Sequence, residues 1–108
     1  MKDEQIEKIR SAVESAGHIP VKKKAELLRL VSKLKPVIAK VSQTHQERTG
    51  NVARLIEASA HEATKKNPGA LKKLLHELEQ SVEKFEASHP ELVEWVTEYS
   101  MVLSGFGI

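Results

Sequence analysis

The chain has 108 residues, a length that fits one helical domain over residues 1–108. Apolar residues make up 40% and aromatic residues 4%, so Leu, Val, Ile and Ala must form most of the core, which favours helices over a sheet. The absence of cysteine excludes disulfides, thiolate zinc sites and cysteine nucleophiles, and it fits a reducing compartment. Because the start is polar and no run of about 20 apolar residues occurs, we expect a cytoplasmic protein without a membrane span.

The charge is distributed unevenly along the chain. The net charge is +2, but residues 1–54 hold 12 basic and 6 acidic side chains (+6), whereas residues 55–108 hold 5 basic and 9 acidic side chains (−4). Opposite charges on the two halves attract each other within one protomer or between protomers. This asymmetry favours head-to-tail or antiparallel self-association.

The first predicted helix spans 3–16, because its apolar side chains recur every three or four residues. We expect Gly17 to end it in the left-handed conformation, with Pro20 reinforcing the stop. A long second helix begins near Val21, and its apolar positions are Leu27, Val31, Leu34, Ile38 and Val41. Pro36 either kinks this helix or starts another one, and the unchanged apolar phase on both sides favours a kink.

The middle of the chain contains two breaks. The polar segment 43–51 indicates a connection or a frayed helical stretch, and the next helix is predicted from Val52 to about Lys66. Asn67, Pro68 and Gly69 form the strongest turn signal in the sequence. Asn67 is expected to cap a helix that starts at Pro68 or Gly69.

Two segments near the C-terminus have the same apolar spacing in the same phase, on either side of Pro90. Ser88 and Glu91 match a capping box, which predicts a corner between two helices. The last helix should end near Ser104 and Gly105 and leave an apolar tail over 106–108. The sequence therefore predicts an all-α fold, a bundle of four or five amphipathic helices.

These two apolar segments also provide the candidate interface between protomers. Four or five helices are too few to bury every apolar stripe within one chain, so we expect a homo-oligomer, with a dimer favoured. Trp95 and Tyr99 are the first candidates, since buried Trp and Tyr dominate interface energetics. The complete candidate interface is Leu71, Leu75, Leu78, Val82, Phe85, Leu92, Trp95, Val96, Tyr99, Leu103 and Phe106.

A resemblance covers about the last quarter of the chain. The residues from Phe85 to Leu92 read Phe-Glu-Ala-Ser-His-Pro-Glu-Leu, and the end reads Leu-Ser-Gly-Phe-Gly-Ile. Together they resemble the C-terminal signature of a family of small bacterial proteins catalogued as domain of unknown function 4404, with Gly105 in place of the usual Asn. The resemblance implies a short helical protein with no assigned activity, and it implies no catalytic residues.

The five histidines do not form a recognisable metal motif. His61-Glu62 and His76-Glu77 begin like the zinc-protease motif, but both lack the second His four residues later. Glu86 and His89 have di-iron spacing without the second pair and the further carboxylates that such sites need. We expect no metal and no cofactor, with His45 and His89 as half-buried structural histidines.

A basic run on the second helix supports an alternative function. Its residues are Lys22, Lys23, Lys24, Arg29 and Lys33, and they offer cations to nucleic acid or to an anionic surface. Residues 21–48 contain no Phe, Trp or Tyr that would stack on bases or anchor a helix in lipid. Because no Gly-x-Ser-x-Gly elbow or glycine-rich phosphate loop occurs either, we expect a protein-interaction or structural module that is not an enzyme.

Overall fold

Five α-helices form the computed structural model, which describes residues 2–65 and 67–106. The helices are α1 (Asp3–Ser15), α2 (Val21–Ser42), α3 (Gln46–Thr64), α4 (Pro68–Glu83) and α5 (Pro90–Phe106). These described residues contain no strand, so the predicted all-α fold is confirmed. The predicted helix end at Lys66 and the last two residues of the predicted tail lie outside the described part.

Helices α2 to α5 form a four-helix bundle, and α1 packs against α2 and α3. Each of these four helices contacts the next one along the chain, and α5 returns to contact α2. Lys40 near the end of α2 pairs with Glu91 near the start of α5, as antiparallel packing requires. The radius of gyration is 12.9 Å. Since a folded domain of this length is expected near 13 Å, one chain reaches the usual compactness by itself.

Helix α2 continues through Pro36 without a break. Proline removes the hydrogen bond that its backbone nitrogen would donate to the Ser32 carbonyl. Both Ser32 and Pro36 are exposed, so this carbonyl lies on the solvent side of the helix. The apolar residues before and after Pro36 therefore lie on one side of a single helix and face the same core.

Helix α3 begins at Gln46, six residues earlier than the sequence predicts. The polar segment 43–51 was expected to be a connection or a frayed helical stretch; residues 46–51 are helical, and the Thr49 side chain is buried. Its hydroxyl donates a 2.9 Å hydrogen bond to the His45 carbonyl, which satisfies the polar group inside the first turn. Burial of a threonine thus extends the helix into a segment that lacks an apolar pattern.

Two other local expectations are wrong. Gly17 is not in the left-handed conformation; α1 ends at Ser15, and the residue that follows, Ala16, has an extended backbone. Among the described residues no hydrogen bond joins Ser88 and Glu91, so the predicted capping box is not observed there; Oε1 of Glu91 lies 3.5 Å from the ammonium nitrogen of Lys40. By contrast, the Asn67 cap is confirmed, since its side chain accepts a 3.2 Å hydrogen bond from the Ala70 amide.

The corner between α4 and α5 is held by backbone and ring contacts. The His89 amide donates a 2.7 Å hydrogen bond to the Phe85 carbonyl. The Phe85 ring is buried, and its centroid lies 5.4 Å from that of His45 and 6.3 Å from that of His89. Both histidines are half-buried, as expected from their positions in the apolar phase. The corner is therefore closed by an aromatic cluster that also includes the start of α3.

Candidate interaction surface

The predicted interface residues lie mostly in the core of one chain. Nine of the eleven are buried: Leu71, Leu75, Leu78, Val82, Phe85, Leu92, Val96, Tyr99 and Leu103. Trp95 is half-buried, and the side chain of Phe106 lies outside the described residues. The premise that a single chain has too few helices to bury these stripes is wrong, because α2 and α3 cover them. In this fold, the nine buried side chains are not accessible to a partner.

Tyr99 is the largest of the fully buried side chains. Its hydroxyl donates a 2.7 Å hydrogen bond to the Ile56 carbonyl and lies 2.9 Å from the Ser59 hydroxyl. Burial raises the pKa of Tyr99 well above its ordinary value, although the bond with Ser59 opposes the shift. Tyr99 therefore joins α5 to α3 as a neutral, hydrogen-bonded core residue.

The candidate polyanion-binding residues remain on the surface of α2. Lys22, Lys23, Arg29 and Lys33 are exposed. Lys24 is half-buried, and its ammonium group donates a 3.0 Å hydrogen bond to the Glu14 carbonyl near the end of α1. Four of the five cations are thus accessible, whereas Lys24 satisfies an otherwise unpaired carbonyl at a helix C-terminus.

A basic stripe runs along α2 and consists of Lys22, Arg29, Lys33 and Lys40. Residues seven, eleven or eighteen positions apart on an α-helix lie within about 20° of one another, so these four share one side of the helix. All four are exposed. The stripe extends over about 27 Å, given the rise of 1.5 Å per residue.

An acidic stripe runs along α5 and consists of Glu91, Glu94 and Glu98. All three are exposed, and their spacing places them on the side opposite the buried Leu92, Val96 and Leu103. The helical spacing of these three acidic residues is visible in the sequence. The predicted interface was nevertheless placed on the apolar seam, and it did not include the acidic stripe. The seam faces the core, and the acidic side chains face outwards.

Two ion pairs connect α2 to its neighbours. Lys40 and Glu91 lie 3.5 Å apart and link the two stripes. Lys35 pairs with Asp3 of α1, and its hydrogen bond and positive charge lower the pKa of the Asp3 carboxyl. Both pairs are exposed, so each contributes little to stability. The pair between α2 and α5 shows that the opposite charges of the two halves meet within one chain.

Exposed apolar groups also lie on these two helices. Met101 on α5 is 70% exposed, and Val21 at the start of α2 is 80% exposed. Trp95 is half-buried. It follows Glu91 by four residues and precedes Glu98 by three, so it adjoins both on the surface of α5. We call the surface formed by the basic stripe, the acidic stripe, Trp95 and Met101 the α2/α5 face.

Comparisons with protein families, curated proteins and solved structures find no match to this chain. The resemblance of its last quarter to family 4404 therefore stays a prediction. Within residues 2–65 and 67–106, no group of three or more His, Asp or Glu side chains is arranged to hold a metal ion. No helix in that part combines the length and hydrophobicity needed to cross a bilayer.

Proposed function

We propose that this chain is a self-associating protein-interaction module that acts through contacts between folded copies, without catalytic activity. The observation that carries this proposal is the α2/α5 face, where a basic stripe and an acidic stripe lie side by side. A surface with both signs of charge in adjacent rows is electrostatically complementary to a second copy of itself. The proposal includes a cytoplasmic location, an expectation that rests on composition alone.

The exposed apolar side chains support the same interpretation. Met101 and Val21 are the large apolar residues that the described chain leaves exposed, and both belong to α2 or α5. Apolar area at the centre of a contact contributes to affinity, whereas surrounding charges contribute mainly to specificity and association rate. The α2/α5 face thus contains both components of a protein interface.

Sedimentation velocity tests the proposal directly. We expect the mass-average sedimentation coefficient to rise between about 1 and 100 μM protein, with a midpoint in the micromolar range typical of small interfaces. Raising the salt concentration should weaken association, because exposed charges are screened beyond about 8 Å at physiological ionic strength. A sedimentation coefficient that stays at the monomer value over the whole concentration range would reject the proposal.

Polyanion binding is the second candidate function. It is favoured by the exposure of Lys22, Lys23, Arg29 and Lys33, none of which belongs to an ion pair in the described structure. The neighbouring acidic stripe repels phosphates, so self-association remains the first proposal. Fluorescence anisotropy with labelled heparin or duplex DNA tests the alternative. Binding should fall steeply with salt and fall again when Lys22 and Lys23 are changed to Gln.

A further inference from the structure

The basic and acidic stripes of the α2/α5 face carry charged residues at matching positions along the axis of the bundle. Lys40 and Glu91 lie 3.5 Å apart, which defines one level on the two antiparallel helices. Moving seven residues back from Lys40 reaches Lys33, and moving seven forward from Glu91 reaches Glu98. Both steps advance about 10.5 Å in the same direction. Lys33 and Glu98 therefore lie at the same level, although they form no ion pair in the described chain.

We infer that the α2/α5 face binds a second copy of this chain about a twofold axis parallel to the helices. This inference rests on the proposed self-association and identifies the surface and the symmetry that it uses. The α2 helix of each copy lies against the α5 helix of the other, so that four helices meet at the contact. The acidic stripe of each copy then faces the basic stripe of its partner.

The choice of axis follows from the charges. A twofold axis parallel to the helices places α2 of each copy opposite α5 of the other and leaves every residue at the same position along the helix axes. Lys33 then meets Glu98 of the second copy, and Lys40 meets Glu91 of the second copy. A twofold axis across the helices would instead stack basic stripe on basic stripe and acidic stripe on acidic stripe. Because that arrangement is repulsive at every level, the parallel axis is selected.

Apolar side chains lie where this contact needs them. Met101 follows Glu98 by three residues and Glu94 by seven, so its 70% exposed side chain adjoins the acidic stripe. Trp95 lies between Glu91 and Glu98 and is the sole tryptophan of the chain. Trp95 and Met101 flank the acidic stripe on its two sides, so α2 of a second copy lying along the stripe removes part of each side chain from water. Trp95 fluorescence consequently reports the contact.

The test uses two variants with reversed stripes. In the first, Arg29→Glu and Lys33→Glu reverse two of the four charges of the basic stripe, and in the second, Glu94→Lys and Glu98→Lys reverse two of the three charges of the acidic stripe. Each variant alone should dimerise at least tenfold more weakly than the unmodified chain in sedimentation velocity. An equimolar mixture should form a heterodimer with affinity recovered to within about threefold, because the reversed positions of each variant again face opposite charges on the other. Acrylamide quenching of Trp95 should fall as each dimer forms.

Matched controls change the same charge at exposed positions of α4. Lys72→Glu with Lys73→Glu matches the first variant, and Glu79→Lys with Glu83→Lys matches the second. Both controls should dimerise like the unmodified chain, and circular dichroism should show the same helix content in all variants. If the unmodified chain dimerises and the reversed variants dimerise equally well, the α2/α5 face is rejected while self-association stands.

The other outcomes separate the two proposals. A strictly monomeric unmodified chain rejects self-association and this interface together. Loss of dimerisation in the single variants without recovery in the mixture rejects the twofold arrangement. If the first variant loses heparin binding while dimerisation is unchanged, the basic stripe serves a polyanion and the inference is overturned.

Discussion

The Tyr99 hydroxyl donates a 2.7 Å hydrogen bond to the backbone carbonyl of Ile56, a residue 43 positions earlier in the chain. The Ser59 hydroxyl lies 2.9 Å from the same phenol oxygen and 3.0 Å from the Ile56 carbonyl oxygen, the two acceptors within reach of its single proton. These contacts join α5 to α3, two parallel helices that are not adjacent along the chain. They hold a polar group in the core and align the helix that presents the acidic stripe.

Substitutions of Tyr99 should separate the contribution of the hydroxyl from that of the ring. Tyr99→Phe keeps the buried ring and removes one hydrogen bond, so we expect a loss of about 1 kcal/mol in the free energy of unfolding. Tyr99→Ala also creates a cavity and should cost about 4 kcal/mol. Urea denaturation followed by circular dichroism measures both values. Equal losses for the two variants would contradict this assignment.

Tyr99 should also make the fold sensitive to alkali. Burial raises the pKa of its hydroxyl in the folded chain, so above about pH 10 the unfolded chain ionises while the folded chain does not. The protonated Tyr99 makes its full contribution to stability below the pKa that its hydroxyl has in the unfolded chain. Above that pKa the free energy of unfolding falls by roughly 1.4 kcal/mol per pH unit. Urea titrations between pH 9 and about pH 11 should show this extra slope relative to Tyr99→Phe.

Phenolate absorbance provides an independent check on Tyr99, the sole tyrosine of the chain. The absorbance should rise together with the loss of helical circular dichroism, since the phenol ionises only when the core opens. Ionisation near pH 10 in a fully helical protein would show that the hydroxyl is accessible to solvent.

The apolar seam of α4 should behave as core. Leu78 is completely buried, whereas Leu74 on the same helix is half-buried. We therefore expect Leu78→Ala to lower the free energy of unfolding by about 3 kcal/mol, because it removes packed methyl groups and leaves a cavity. Leu74→Ala is the matched control and should cost about 1 kcal/mol. A Leu78→Ala variant that weakens self-association without loss of stability would instead place Leu78 at an interface.

The Asn67 cap should contribute to the stability of α4. Its side chain accepts the hydrogen bond of the Ala70 amide, one of the amides at the helix start that lack a partner within the helix. Asn67→Ala should lower the free energy of unfolding by about 1 kcal/mol. Asn51→Ala is a suitable control, because Asn51 lies within α3 and contacts the exposed Arg54. That control should change stability by less than about 0.5 kcal/mol, and equal effects of both variants would argue against a capping role.

The seams and breaks of the helices could be predicted because they depend on short-range spacing. Leu71, Leu75 and Leu78 recur at intervals that only an α-helix places on one side, and Asn67 with Pro68 begins that helix through local hydrogen bonding. The start of α3 could not be predicted in this way. Thr49 is buried by its neighbours in space, and neither its polarity nor its position in the sequence indicates that burial.

The sequence by itself determined that this protein is helical, where most helices begin and end, and which side of each helix is apolar, since all three depend on residues within a few turns. Only the tertiary structure decided whether those apolar sides meet within one chain or between chains. Packing depends on which helices become neighbours, and residues far apart in sequence control it. The same packing brings Glu91 within 3.5 Å of Lys40 and places two charge patterns that are separate in the sequence on one face.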